Sequence, residues 1–128
     1  AWPCTNFTGI IETCFEHGVA PMNIRVFSAG VIATDERHGR EQPITAGDTI
    51  ESESAKAAHL FARVNMGGDS RAQMAVRFAL AQSRLACVVV GLEQPAYLSE
   101  AIMAAERGAL PQSTLTEIKA AWASFSTS

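Results

Sequence analysis

The sequence predicts an α/β protein, and three observations carry that reading. Helical and strand patterns alternate along the chain as helix, strand, long loop, two helices, strand, helix, helix. Both strand candidates are apolar, β-branched runs without alternation, which suits parallel strands covered on both faces. The 128 residues leave room for one domain and not two, so 1–128 reads as a single unit.

The elements follow in order. Residues 1–9 look irregular, with Pro3, Asn6 and Gly9 as breakers. Ile10, Ile11, Cys14 and Phe15 then recur at helical spacing, Glu12 and Glu16 lie opposite, and Gly18 is a natural stop; a short helix over 8–17 follows. Val19 to Phe27 is β-branched and aromatic and ends in Ser28-Ala29-Gly30, a strand reaching a tight turn. Residues 34–51 form a long polar loop rich in breakers; unstructured stretches of that length are usually functional or mobile.

Ala57, Leu60, Phe61 and Val64 restore helical spacing, and Lys56, His59 and Arg63 mark a solvent face. After the break at Asn65-Met66-Gly67-Gly68, Asp69 or Ser70 caps a helix over 71–83 that is apolar nearly all round. Leu85 to Val90 is the second strand, with Cys87 as a small core residue. Pro95 suits the first turn of a helix carrying Leu98, Ile102 and Ala105 and closed by Gly108. Thr114 and Glu117 have capping-box spacing ahead of Leu115, Ile118, Trp122 and Phe125. Phe61, Phe78, Trp122 and Phe125 are expected in the core.

The two strands raise a problem of cover. Both need neighbours on each face and each edge, and two parallel strands cannot supply those to one another. The chain therefore reads as part of a larger sheet, completed by another protein chain or by copies of itself.

Charge and composition narrow the function. Hydrophobic residues make up 48% of the chain, which excludes wholesale disorder. A formal net charge of −3 without a basic run argues against nucleic acid as a partner. The longest apolar run, Leu85 to Leu92, falls far short of the roughly twenty residues of a spanning helix, so no membrane span is expected. Ala1-Trp2-Pro3-Cys4 has neither an initiator methionine nor a signal pattern, which suggests processing or a piece of something longer. Cys4, Cys14 and Cys87 form no CxxC pair and no zinc ligand set, and suit reduced thiols in a cytoplasmic protein.

Several segments together resemble the C-terminal portion of an aldo/keto reductase, in the flavour of its bacterial sugar-dehydrogenase branch. Glu16 to Ile32, containing His17-Gly18-Val19-Ala20-Pro21 and Val26-Phe27-Ser28-Ala29-Gly30-Val31, is similar without gaps to the family's seventh barrel strand and the loop entry after it. Ala72 to Ala81 looks like the helix before the eighth strand. Val88 to Ala101 looks like that strand, the cofactor loop and the last barrel helix. Ala105 to Pro111 with Leu115 and Ile118 resembles the closing helix.

The resemblance implies that the α/β chain is the C-terminal part of a (β/α)8 TIM barrel, about strands 7–8 with their helices. That end of a barrel often holds a phosphate-bearing ligand through backbone amides and a helix N-terminus. In the family it grips NAD or NADP for hydride transfer between the nicotinamide and a sugar or aldehyde carbonyl. The family's catalytic Asp, Tyr, Lys and His lie on earlier strands, so the chain alone is expected to be inactive. The other reading is a non-catalytic truncated module that self-assembles or pairs with another chain.

The implied cofactor residues are Arg25, Phe27, Gly30, Gly91, Leu92, Glu93, Tyr97 and Glu100. Gly91 precedes a helix where a missing Cβ lets amides approach a phosphate, or it is a plain strand-to-helix turn. Glu93 stands where the family usually has a serine or arginine favouring the 2′-phosphate; a carboxylate there repels that phosphate, so NAD is favoured. Tyr97 replaces a family Gln or Arg, Ala101 replaces an Asn at the adenine, and Glu100 matches the adenine-side glutamate. The bland reading of Glu93 and Glu100 is solvated helix-end charge. Arg25, near the end of an apolar strand, reads as a buried arginine needing an anion, either a cofactor phosphate or a carboxylate. Ile24 replaces the aromatic that stacks on nicotinamide, a role left to Phe27. In the long loop, Asp35, Arg37, His38 and Arg40 either clamp a ligand or form solvated surface.

Overall fold

A computed structural model describes residues 9–126, so Cys4 and the irregular start up to residue 8 lie outside the described residues. Among the described residues are five helices and two strands: α1 (Ile10–Glu16), β1 (Met22–Asn23), α2 (Ile50–Phe61), α3 (Arg71–Leu80), β2 (Cys87–Val88), α4 (Pro95–Arg107) and α5 (Gln112–Ser126). Their order is the expected one.

The two strands pair in parallel, with Met22 opposite Cys87 and Asn23 opposite Val88. The Ala86 N–H donates to the Pro21 carbonyl at 2.8 Å and the Val89 N–H to the Asn23 carbonyl at 2.8 Å. This is parallel α/β geometry, but the ladder is far shorter than the apolar runs that contain it. Beyond Asn23 the chain curls, with Arg25 at φ 57°, Ser28 at φ 51° and Ala29 at φ 54°. The cause lies in the edges: each strand has one paired edge, and a ladder cannot extend where no neighbour offers hydrogen bonds. The apolar faces stay open accordingly. Met22 is 66% exposed, Ile24 64% and Val89 48%.

Four expectations are corrected here. Arg25 is exposed instead of buried, because the strand has already ended at Asn23 and turned the residue outward. Cys87 is exposed and not core, since among the described residues β2 has β1 as its one strand neighbour. α2 starts at Ile50, ahead of the Ala57 periodicity and inside the expected loop, because Thr49 caps it by accepting the Ser52 N–H at 3.1 Å. Thr114 and Glu117 form no capping box, because α5 already begins at Gln112. Glu117 instead accepts the Asn65 N–H at 3.1 Å.

The helices carry the core. Val31, Ile32 and Ala57 form one buried cluster, with Ile50, Phe61, Ala75 and Trp122 against it. Val64, Met74, Leu110 and Ala121 form another, lined by Leu60, Phe61, Phe78, Leu115 and Ile118. Phe61 touches both. Trp122 stacks on Phe125 with centroids 6.3 Å apart. The expected solvent face of α2 is only part solvent: Lys56 pairs with Asp48, and His59 Nε2 lies 3.0 Å from Ser124 Oγ.

α3 packs along α4, and a buried carboxylate locks the pair. Asp69 receives Arg77 on one oxygen and Arg107 on the other. Arg77 Nε also donates to the Gly108 carbonyl at 2.8 Å, so α3 is tied to the end of α4. Ser70 caps α3 as one of the two expected residues. Its hydroxyl accepts the Gln73 N–H, while the Gln73 side chain accepts the Ser70 N–H at 2.9 Å.

Candidate functional site

The C-terminal ends of β1 and β2 open into a cleft of about 960 Å³. Ligands of parallel α/β sheets bind at that end, because loops and helix N-termini converge there. All eight residues singled out in the sequence line it: Arg25, Phe27 and Gly30 after β1, Gly91, Leu92 and Glu93 after β2, and Tyr97 and Glu100 on α4. Residues some sixty positions apart in sequence are thus brought to one surface by the parallel pairing of two short strands.

The floor is built from two turns. After β1, the Ser28 N–H donates to the Arg25 carbonyl at 3.0 Å and the Gly30 N–H to the Phe27 carbonyl at 2.9 Å, which folds Phe27, Ala29 and Gly30 against the cleft. After β2, Gly91 leads through Leu92 and Glu93 to Pro95 at the first turn of α4. The space beside Gly91 is open, with nothing within 4 Å of where a Cβ would sit. The N-cap of α4, Gln94, makes no side-chain cap. Pro95 has no N–H and the Tyr97 N–H donates to the Gln94 carbonyl at 3.0 Å, which leaves the first turn of α4 few N–H groups to offer an anion.

Charge is distributed unevenly around the rim. The β1 and loop side carries both signs, Arg25, His38 and Arg40 with Glu36 and Glu41, while the α4 side carries Glu93 and Glu100. Among the described residues, Arg25 and Glu93 have no salt-bridge partner, and both are exposed. Glu100 is half-buried and accepts the Ser70 hydroxyl, so it is held against the cap of α3 and is not a loose helix-end charge.

The long loop divides its charged residues between two sides. His38 and Arg40 line the cleft. Asp35 and Arg37 face a separate groove along α2. Arg37 is occupied within the fold, donating to the Thr34 carbonyl at 2.7 Å and the Ser54 hydroxyl at 2.8 Å. Three of the loop's carboxylates are held below their ordinary pKa values. Arg71 does this to Asp35, the His38 N–H to Glu41, and Lys56 followed by Ser52 to Asp48.

Sequence reasoning missed several lining residues. Gln73, Ala72 and Val76 bring one face of α3 to the cleft, and Thr34, Glu36 and Glu41 bring the loop. Gln73 left a signal, since it is the third residue after the Ser70 cap and must point back toward the helix start. Among the described residues no group of three His, Cys, Asp or Glu side chains is placed to hold a metal ion. His17 and His59 do not line the cleft; His17 Nδ1 lies 2.9 Å from the Thr13 carbonyl. Among the described residues, no helix is long and apolar enough to cross a membrane.

Comparison with known proteins adds one finding. The model of the aldo/keto reductase family matches residues 4–123. No curated protein matches closely enough to count as a relative.

Proposed function

The chain belongs to the aldo/keto reductase family, whose members are (β/α)8-barrel oxidoreductases, and from that premise we propose that the cleft is the nicotinamide-dinucleotide grip of such an enzyme, with NAD favoured over NADP. In this reading the chain supplies strands seven and eight of the barrel. The carrying observation is the convergence of Gly91, Glu93 and Tyr97, around the junction of β2 and α4, with the cationic Arg25 that follows β1 on one cleft.

The residues present fit the group. A cleft of about 960 Å³ falls within the range of small-molecule and cofactor sites. The open space beside Gly91 suits the diphosphate. Arg25 offers a second anion contact, and Phe27 an aromatic face for the nicotinamide. Glu93 accepts hydrogen bonds from an unphosphorylated ribose and repels a 2′-phosphate, while Glu100, braced by Ser70, stands at the adenine side. When bound, the dinucleotide supplies the hydride for a sugar or aldehyde carbonyl. This chain's own part is to bind it, orient it and exclude water. Proton transfer is assigned to strands outside this chain, so the isolated chain is expected to be inactive.

A second reading rests on the open strand faces. Exposed Met22, Ile24 and Val89 beside unpaired edges favour addition of another β/α unit, from a copy of this chain or from a separate one. A non-catalytic module that assembles in this way is the alternative to an enzyme piece.

Titration with NADH and NADPH by fluorescence tests the first reading. Saturable binding with NADH the tighter ligand supports it, and absence of binding by either overturns it. Turnover of an aldehyde by this chain alone would overturn the assignment of proton transfer elsewhere. Sedimentation addresses assembly: a folded monomer at all concentrations removes self-assembly and counts against both readings, since each leaves strand edges for another chain to cover.

A further inference from the structure

Besides the apolar packing of Val31 and Ile32 against Ala75, the two walls of the cleft are joined by a polar side chain that does not line it. Arg71 is the first residue of α3, and its guanidinium reaches across to the turn that follows β1. Nε donates to the Ile32 carbonyl at 2.8 Å, one terminal nitrogen to the Val31 carbonyl at 3.1 Å, and the other to Asp35 at 2.6 Å. The guanidinium also lies over the Phe61 ring of α2, 4.8 Å from its centroid. Only 16% of the side chain is exposed.

We infer that Arg71 is a positioning residue: its planar fork fixes the turn after β1 against α3 and so sets the gap between the cleft's walls. The inference rests on the dinucleotide reading above only for the ligand that fills the gap. Phe27, Gly30 and Thr34 stand on the turn side of that gap, and Gln73 and Val76 on the α3 side.

Backbone conformation explains why the turn needs an external hold. Ser28 and Ala29 occupy the left-handed region at φ 51° and 54°, which L-residues keep only when the surroundings over-determine them. Internal bonds use the amides of the turn, Val31 to Ser28 and Ile32 to Phe27. Val31 and Ile32 are buried, and their carbonyls are met by Arg71. Arg71 meets its three acceptors from three separate nitrogens held in one rigid plane, whereas the three donors of an ammonium radiate from a single atom and do not span that set. The Asp35 bond is the lesser part. Asp35 is 78% exposed, where an ion pair contributes little.

The fork and the ion pair are separable by variants of the full chain. Arg71→Met removes both, Arg71→Lys keeps the charge without the fork, and Asp35→Asn keeps the fork without the ion pair. In both Arg71 variants, amides of residues 27–34 are expected to exchange with solvent about tenfold or more faster, while α5 is unchanged. Asp35→Asn should stay within about twofold of the parent. NADH affinity, read where circular dichroism shows full folding, should fall about tenfold in both Arg71 variants and little in Asp35→Asn. Should Arg71→Met not fold, Arg71→Lys carries the comparison. Parent-like behaviour of Arg71→Lys, faster exchange spread evenly over the chain, or local loosening with unchanged NADH affinity would each overturn the inference. A parent chain that binds neither NADH nor NADPH removes the dinucleotide reading, and the exchange pattern still decides whether Arg71 holds the turn.

Discussion

Glu53 Oε1 accepts the Ile44 N–H at 2.9 Å, so a fully buried carboxylate on α2 pins the loop that borders the cleft. The same oxygen accepts the Thr45 N–H at 3.0 Å, while Oε2 is buried without a partner. Two loop amides thus depend on one atom, and Glu53→Leu leaves both part-buried amides without that acceptor. The expected loss is about 2 kcal/mol or more of stability. Glu53→Gln keeps a carbonyl for the two amides and should lose less. Urea denaturation with tryptophan fluorescence measures the order, and limited proteolysis should cut first near residues 40–48. Equal stability of Glu53→Leu and the parent would remove the pinning role.

Acid should loosen the same loop. Asp35, Glu41 and Asp48 all have pKa values lowered in the folded protein, the first by the Arg71 hydrogen bond, the second by the His38 N–H and the third by Lys56. A lowered folded pKa means that the unfolded state takes up protons first. The stabilisation is complete above the ordinary carboxylate range and is lost as pH falls through the lowered folded values. Hydrogen exchange of residues 35–48 followed from pH 6 to pH 3, corrected for intrinsic rates, should show protection that falls on acidification. Protection that is unchanged or greater at pH 3 would show that these carboxylates do not hold the loop.

The fold was legible wherever local signals agree with tertiary packing. Pro95 and Gly108 bracket α4 because proline suits the first turn and glycine the residue past the last. The cap of α3 was legible for the same reason, since Ser70 and Gln73 satisfy one another within the helix start. Arg25 and Cys87 were misread because an apolar run implies burial only when something covers it, and the two-residue ladder leaves both outside. Thr114 failed as a cap because the Leu115 N–H bonds the Pro111 carbonyl, starting the helix earlier than the capping-box pattern indicates. The eight residues came from the resemblance to aldo/keto reductases, and the parallel pairing of β1 with β2 brings all eight to one cleft. Glu53 and Arg71 were not legible, because their partners are backbone groups of distant segments that leave no mark on spacing.

Asp69 should matter more to stability than either arginine that meets it. Its side chain is almost fully buried between Arg77, 11% exposed, and Arg107, 44% exposed. Asp69→Ala strands a buried Arg77 and is expected to cost about 3 kcal/mol. Arg107→Ala leaves the Arg77 bond in place and removes a largely solvated partner, for less than about 1 kcal/mol. Urea midpoints at constant slope give both values. A reversed order would mean that the outer arginine carries the α3–α4 lock.

The last prediction concerns Glu93 and the choice between the two dinucleotides. If its carboxylate faces the ribose, it lifts the Kd for NADPH above that for NADH by charge repulsion, with no change of fold. Glu93→Gln removes the charge at nearly constant shape, and should narrow the NADPH-to-NADH ratio by about tenfold, or 1.4 kcal/mol. Glu93→Arg should invert the preference by pairing with the 2′-phosphate. Because Glu93 is exposed, added salt should also narrow the parent's ratio, and should do so less in Glu93→Gln. Fluorescence titrations of the three proteins at low and high ionic strength measure this. A ratio that neither the substitution nor the salt alters would place the carboxylate away from the ribose, and the preference for NAD would lose its cause.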